Sequence, residues 1–97
     1  MLIQLKNFGT TLTSRQLGKE AFSGFAPNLD GVQENEIIII DFDGVDTFSP
    51  SWGDEFLTQM YNKFGKRLLL KNTKNPSALA TIGILEETNG LKFEIEK

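Results

Sequence analysis

The side chains best suited to chemistry in this chain lie in one stretch, from Ile37 to Glu55. Asp41 and Asp43 follow a run of four isoleucines, and Gly44-Val45 comes directly after them. Paired carboxylates at a strand end offer oxygen donors of the kind Mg²⁺ takes in near-octahedral coordination. To attack phosphorus, a carboxylate would also need cations that neutralise the incoming phosphoryl group. Downstream stand Asp46 and Ser49-Pro50-Ser51-Trp52, then Asp54-Glu55. A serine at a helix start can cap the free backbone N–H groups or carry a phosphate there. The chain has no histidine and no cysteine. That removes the commonest general base, thiolate metal sites and disulfides.

These residues need a scaffold, and hydrophobic patterning predicts one. Met1 to Lys6 reads as a first strand, with Ile3 and Leu5 alternating against Gln4 and Lys6. Thr13 is a good helix N-cap with Gln16 as its capping-box partner, and Leu12 and Leu17 have staple spacing. Leu17, Ala21 and Phe25 form the apolar stripe of a first helix from Ser14 to about Gly24. An acidic loop leads to Ile37–Phe42, a β-branched run of the kind found in strands covered on both faces. A second helix begins near Ser49 or Ser51 and ends at Gly65, with Trp52, Phe56, Met60 and Phe64 recurring every four residues. Arg67 to Lys71 supplies a third strand, and Asn75-Pro76 opens a third helix as N-cap and N1. Ala78, Leu79, Ile82 and Leu85 give that helix its buried face, and Asn89-Gly90 closes it. Leu91, Phe93 and Ile95 alternate with charged residues, as an edge strand would.

Strands alternating with helices predict an α/β fold, a four-stranded, mostly parallel or mixed sheet with three main helices. The 97 residues fit a single domain, 1–97, without repeats or linkers. Net charge is −3, with 39% hydrophobic and 24% charged residues, ordinary for a soluble domain. No apolar run approaches a membrane span and no signal-peptide pattern opens the chain, so the expected location is cytoplasmic. Charge is segregated: nine acids and no base from Glu20 to Glu55, five bases and no acid from Phe56 to Leu85. This suits docking of a charged protein partner. The small basic cluster lacks interleaved aromatics, which argues against nucleic acid.

As spelled, Asp41-x-Asp43-Gly44-Val45 after a hydrophobic strand is similar to the nucleophile motif of the haloacid-dehalogenase phosphotransferases. That resemblance implies a magnesium-dependent phosphotransferase using Asp41 as nucleophile and Asp43 as acid/base, with Thr73 and Lys74 in supporting positions. The family's later acidic pair has no counterpart, because Glu86-Glu87 falls within the third predicted helix. Both aspartates also have a local role, Asp41 accepting backbone N–H groups and Asp43-Gly44 forming a turn.

The run from Ile37 to Glu55 also resembles the STAS-like domain family of unknown function, related to the anti-sigma-factor antagonists. The matching features are a hydrophobic strand, Asp41-Phe42-x-Gly44-Val45, then Ser49-Pro50-Ser51-Trp52-x-Asp54-Glu55. Phe8-Gly9 and Thr13-Ser14-Arg15 fit the same pattern. The resemblance implies a non-enzymatic regulatory domain that binds a protein partner of the histidine-kinase-like ATPase type, with no cofactor, metal, nucleic acid or membrane. In the antagonists an Asp-Ser-Ser-Gly loop carries the phosphorylated serine. Laid on this chain, that position falls on Pro50, which has no hydroxyl. Ser49 and Ser51 remain candidate phosphorylation sites, and either can instead cap the helix.

The expected contact surface is therefore Asp46, Ser49, Ser51, Trp52, Asp54 and Glu55. Trp52 fits two descriptions, the first core position of its helix or an exposed anchor. Asp41, Asp43 and Arg15 are expected to organise the loop, Arg15 through a buried pair with a loop aspartate. A constitutive accessory subunit, without switching, is a further alternative.

Overall fold

The β-branched run forms the centre of the sheet. In the computed structural model, which describes residues 1–96, Ile38–Asp41 is β3 and pairs in parallel with β1 (Leu2–Gln4) and β5 (Leu68–Lys71). The edge strand β6 (Glu94–Glu96) runs parallel to β5, giving a four-stranded all-parallel sheet of order β1-β3-β5-β6. Three helices connect these strands: α1 (Arg15–Phe25), α2 (Pro50–Phe64) and α3 (Pro76–Asn89). The strand order advances in one direction, so right-handed crossovers place all three helices on one face. Burial records this asymmetry. Ile38, Ile40, Leu68 and Leu70 are buried, Ile39 and Leu69 only half-buried, and Ile37 and Leu2 exposed. The expectation of a strand covered on both faces is thus corrected: β3 has one helix-covered face.

The helix-facing layer is rich in aromatics. The predicted stripe of α2, Trp52, Phe56, Met60 and Phe64, is buried along its whole length. The rings of Trp52 and Phe56 stack at 5.0 Å, and Phe8 packs on both at 6.0 and 5.0 Å. Helix α1 lies close against α2 because Gly18 has no side chain. A Cβ there would sit 2.8 Å from the Trp52 carbonyl oxygen.

Local differences from the sequence expectations follow from where the caps fall. Ser14, not Thr13, caps α1, accepting the Leu17 N–H at 3.2 Å. Gln16 donates to Glu20 instead of completing a capping box. This phase turns Leu17 outward, so it neither staples to Leu12 nor joins the buried stripe. Ala21 and Phe25 of the predicted stripe do pack on the core, and Gly18 and Phe22 join them in place of Leu17. In α3, Asn75 caps as expected, accepting the N–H groups of Ser77 and Ala78, but Leu79 is exposed and Thr81 is buried in its place. The first strand is shorter than predicted, giving way to a 3-10 turn at Leu5–Phe8.

One element was not anticipated. Thr11–Leu12 (β2) and Thr47–Phe48 (β4) form a second, two-stranded parallel sheet. It joins the segment before α1 to the segment before α2.

Candidate functional site

The stretch from Asp41 to Glu55 occupies the carboxyl end of the sheet, where ligands bind in open parallel α/β sheets. It begins with a tight turn in which the Val45 N–H reaches the Phe42 carbonyl at 3.1 Å. Gly44 takes φ +86° in this turn, and Asp43 is not in the positive-φ region. A type II turn requires that arrangement, and glycine adopts it without strain. Asp41 is buried, and its Oδ1 accepts the Asp43 N–H at 2.9 Å. Its Oδ2 lies 3.9 Å from Lys71 Nζ, a pair linking the ends of β3 and β5. Asp41 therefore ties the turn and the end of β5 to the end of β3. Asp43 contributes only its backbone N–H, and its carboxylate projects without a hydrogen bond or ion pair among the described residues.

The loop that follows is clamped from two sides. The Asn75 side chain donates to the carbonyls of Val45 at 2.7 Å and Asp46 at 3.4 Å. Ser77 Oγ accepts the Phe48 N–H, and Ser77 and Thr81 hydroxyls both donate to the Phe48 carbonyl, at 3.1 and 2.6 Å. On the other side the N–H groups of Asp46 and Thr47 both reach the Thr10 carbonyl. Asp46 thus orients the loop through its backbone and leaves its side chain exposed.

Ser49 is the N-cap of α2. Its Oγ accepts the Trp52 N–H at 3.3 Å and donates to the Thr13 carbonyl at 2.9 Å. Ser51 lies in the first helical turn, half-buried, with no side-chain hydrogen bond among the described residues. Capping from Ser49 moves Asp54 and Glu55 out of the first turn, which contains no acid. Trp52 is only 2% exposed, which corrects the expectation of a surface anchor: it is a core residue between Phe8, Phe48 and Phe56.

Arg15 makes a different contact from the one expected. Its guanidinium lies 3.3 Å from Asp54 Oδ2 and 3.4 Å from Glu55 Oε2, with more than half the side chain in solvent. It reaches none of Asp41, Asp43 and Asp46, so the buried loop pair is corrected to an exposed bridge between α1 and α2. Asn89 at the end of α3 donates to the other Asp54 oxygen at 3.3 Å. Asp54 therefore touches all three helices, and Asp54, Glu55 and Arg15 form a charged ridge beside the capped start of α2.

Between the ends of β3 and β5 lies an open cleft of about 350 Å³ lined by Asp41, Asp43, Lys71, Asn72, Thr73 and Lys74. It brings together four residues the sequence had set side by side on chemical grounds, Asp41, Asp43, Thr73 and Lys74. Lys71, which faces Asp41, was missed. Its place at the end of a predicted strand, next to another strand ending in aspartate, was the available signal. The clamping roles of Asn75, Ser77 and Thr81 left no signal beyond the helix-start pattern.

A family model for a STAS-like domain of unknown function (DUF4325) matches residues 28–78. The chain belongs to this STAS-like family. The matched span runs from before β3 through α2 and β5 into the first turn of α3, and so contains the acidic turn, the Ser49 cap, the cleft and the Asn75 clamp. Arg15 and the Phe8-Gly9 segment lie outside it. No curated protein and no solved structure matches the chain. Among the described residues, no helix of this STAS-like domain is long and apolar enough to cross a membrane.

Proposed function

We propose that this STAS-like domain is a non-enzymatic regulatory module that docks a protein partner through the ridge and loop formed by Asp46, Ser51, Asp54 and Glu55. The observation that carries this reading is the ridge itself. Two carboxylates are held by Arg15 and Asn89 on the surface of packed helices, beside a loop whose backbone is already fixed. Such a surface presents charge at little ordering cost, which favours specific docking of a basic patch. The family's likeness to anti-sigma-factor antagonists points to a histidine-kinase-like ATPase as the partner class. Ser49 serves the surface as its cap and Trp52 as its core support, and neither contributes a contact. If the partner phosphorylates this chain, Ser51 is the acceptor, since the Ser49 hydroxyl is engaged twice.

The test is affinity capture from the native cell with intact-mass measurement of the recovered domain. Asp54→Lys is expected to lose the captured partner while retaining the wild-type thermal transition. Equal capture by the wild type and Asp54→Lys would sink the ridge as the docking surface. Capture that is indifferent to ATP would favour the constitutive accessory subunit, a reading the clamped loop also supports.

A further inference from the structure

Helix α3 differs from its neighbours on the side that faces solvent. There α1 exposes Arg15, Gln16, Lys19 and Glu20, and α2 exposes Asn62 and Lys63. Between its Asn75 cap and Glu86, α3 has no charged residue, and its two hydroxyls, on Ser77 and Thr81, are spent on Phe48. Ala78, Thr81, Ile82 and Leu85 face the core. The opposite side carries Pro76, Leu79, Ala80, Gly83 and Ile84, all exposed, with Leu79 at 52% and Ile84 at 46% of full exposure. Residues three and four apart are neighbours on a helix surface, so these five make one continuous apolar stripe. A helix that is apolar all round is ordinarily covered all round. Nothing among the described residues covers this one.

Gly83 stands in the middle of the stripe. Glycine inside a helix is less stable than alanine, and this fold has no use for it there, since a Cβ would meet no atom within 4 Å. Gly18 of α1 is the contrast, because α2 fills the space beside it. An open glycine on an apolar stripe lets a second helix approach closely. The charges at the two ends of the stripe select which helix that is. Glu87 extends the stripe beyond Ile84, and Lys74 precedes the Asn75 cap at the other end; both are exposed. Laid antiparallel on itself about the midpoint between Ala80 and Gly83, the stripe is self-complementary. Ala80 meets the second copy's Gly83, and Leu79 lies at the level of the second copy's Ile84, on the opposite flank. Glu87 reaches the second copy's Lys74 and the start of its α3, where the helix dipole favours a carboxylate. Two-fold symmetry makes each of these contacts twice. We propose that the exposed face of α3 docks a second copy of this chain through antiparallel α3–α3 packing. A single helix face is smaller than a standard interface, so the dimer is of the weak, reversible class.

The experiment is sedimentation equilibrium on the 97-residue chain, from about 10 μM to about 1 mM, the range in which a small interface associates. The expected weight-average mass rises with concentration from that of a monomer toward that of a dimer. Ile84→Glu and Gly83→Gln are each expected to weaken association by about tenfold or more. Gly83→Gln adds bulk where the fold leaves space and removes a mid-helix glycine, so its thermal midpoint should rise while the dimer is lost. Glu87→Lys should weaken the dimer by setting like charges together, and Lys74→Glu combined with Glu87→Lys should restore it. A monomer at every concentration, or Ile84→Glu and Gly83→Gln associating like the wild type, would overturn the surface. If the double exchange fails to recover what Glu87→Lys loses, the antiparallel pairing is wrong. A monomeric wild type whose captured partner is lost with Ile84→Glu would assign the face to that partner and refute the second copy. Asp54→Lys should dimerise as the wild type does, so the ridge and this face can fail separately.

Discussion

Replacing Ser49 by alanine tests whether that serine is a structural cap or a free switch. Two hydrogen bonds are lost, the one accepted from the Trp52 N–H at 3.3 Å and the one donated to the Thr13 carbonyl at 2.9 Å. Loss of an N-cap costs about 1 kcal/mol. The long cap distance argues for no more than that here. The second bond adds about 0.5–1 kcal/mol, because the exposed Thr13 carbonyl regains water. The total is about 1.5–2 kcal/mol. With a urea m-value of about 1–2 kcal/mol/M, the unfolding midpoint should fall by about 1 M. Ser51→Ala removes no side-chain bond found among the described residues and should stay within about 0.5 kcal/mol of wild type. Ser49→Thr keeps both bonding roles and should recover most of the loss. Urea denaturation monitored by Trp52 fluorescence reads all three, because that indole is buried in the aromatic cluster and meets water on unfolding. Equal midpoints for Ser49→Ala and Ser51→Ala would refute the assignment of the cap.

Two further substitutions probe the scaffold of the site. Gly18→Ala places a methyl 2.8 Å from the Trp52 carbonyl oxygen and 3.0 Å from its Cα, so α1 must move off α2. Overpacking costs about 1–3 kcal/mol against a helix-propensity gain of about 1. Gly24→Ala, in the same helix, meets nothing within 4 Å and should instead stabilise. A thermal midpoint for Gly18→Ala at or above that of Gly24→Ala would show that the helices are not in close contact there. The Glu36 carboxyl is held below its ordinary value, first by the Gln33 N–H, then by the N-terminal ammonium, which lies 3.2 Å away, and by Arg67. A depressed folded-state pKa gives stability that is present above the unfolded value near 4.5 and is lost as pH falls through the lowered folded value. Glu36→Gln should therefore flatten the acid limb of stability against pH, and a titration showing Glu36 at or above an ordinary carboxylate would contradict this.

What the sequence made legible was the part governed by local rules. The isoleucine run, the every-fourth-residue stripe of α2, Asn75-Pro76 and Gly90 each specify an element through periodicity or a cap, and each appears where it was read. Errors arose where the decision was non-local. Leu17 and Ala21 fit a stripe equally well before the cap was known, and only the α1–α2 contact at Gly18 sets the phase. Whether a parallel sheet has helices on one face or two depends on strand order, which a hydrophobic run does not encode. The pairing of Thr11–Leu12 with Thr47–Phe48 joins two-residue segments far apart in the chain, too short for any periodic signal. Arg15 was expected to pair with a loop aspartate, but its partners lie on another helix, beyond the reach of a local argument.

The same clamps bear on how this site could regulate anything. A phosphate switch works by ordering or releasing a segment, and so needs an element with two accessible arrangements. Here the segment from Val45 to Ser49 is tied by Asn75, Ser77 and Thr81 on one side and by Thr10, Leu12 and Thr13 on the other. Little is left to order. Phosphate at Ser51 would act by charge alone, one turn from Glu55 on the same helical face, deepening the negative potential of a ridge that Arg15 only partly neutralises. Toward a basic partner this strengthens docking, and toward an acidic one it opposes it. The rigid loop thus assigns any regulation to electrostatics between preformed surfaces. Its signature would be a phosphorylation effect that fades with rising salt, because a surface pair is screened over about 8–10 Å at physiological ionic strength.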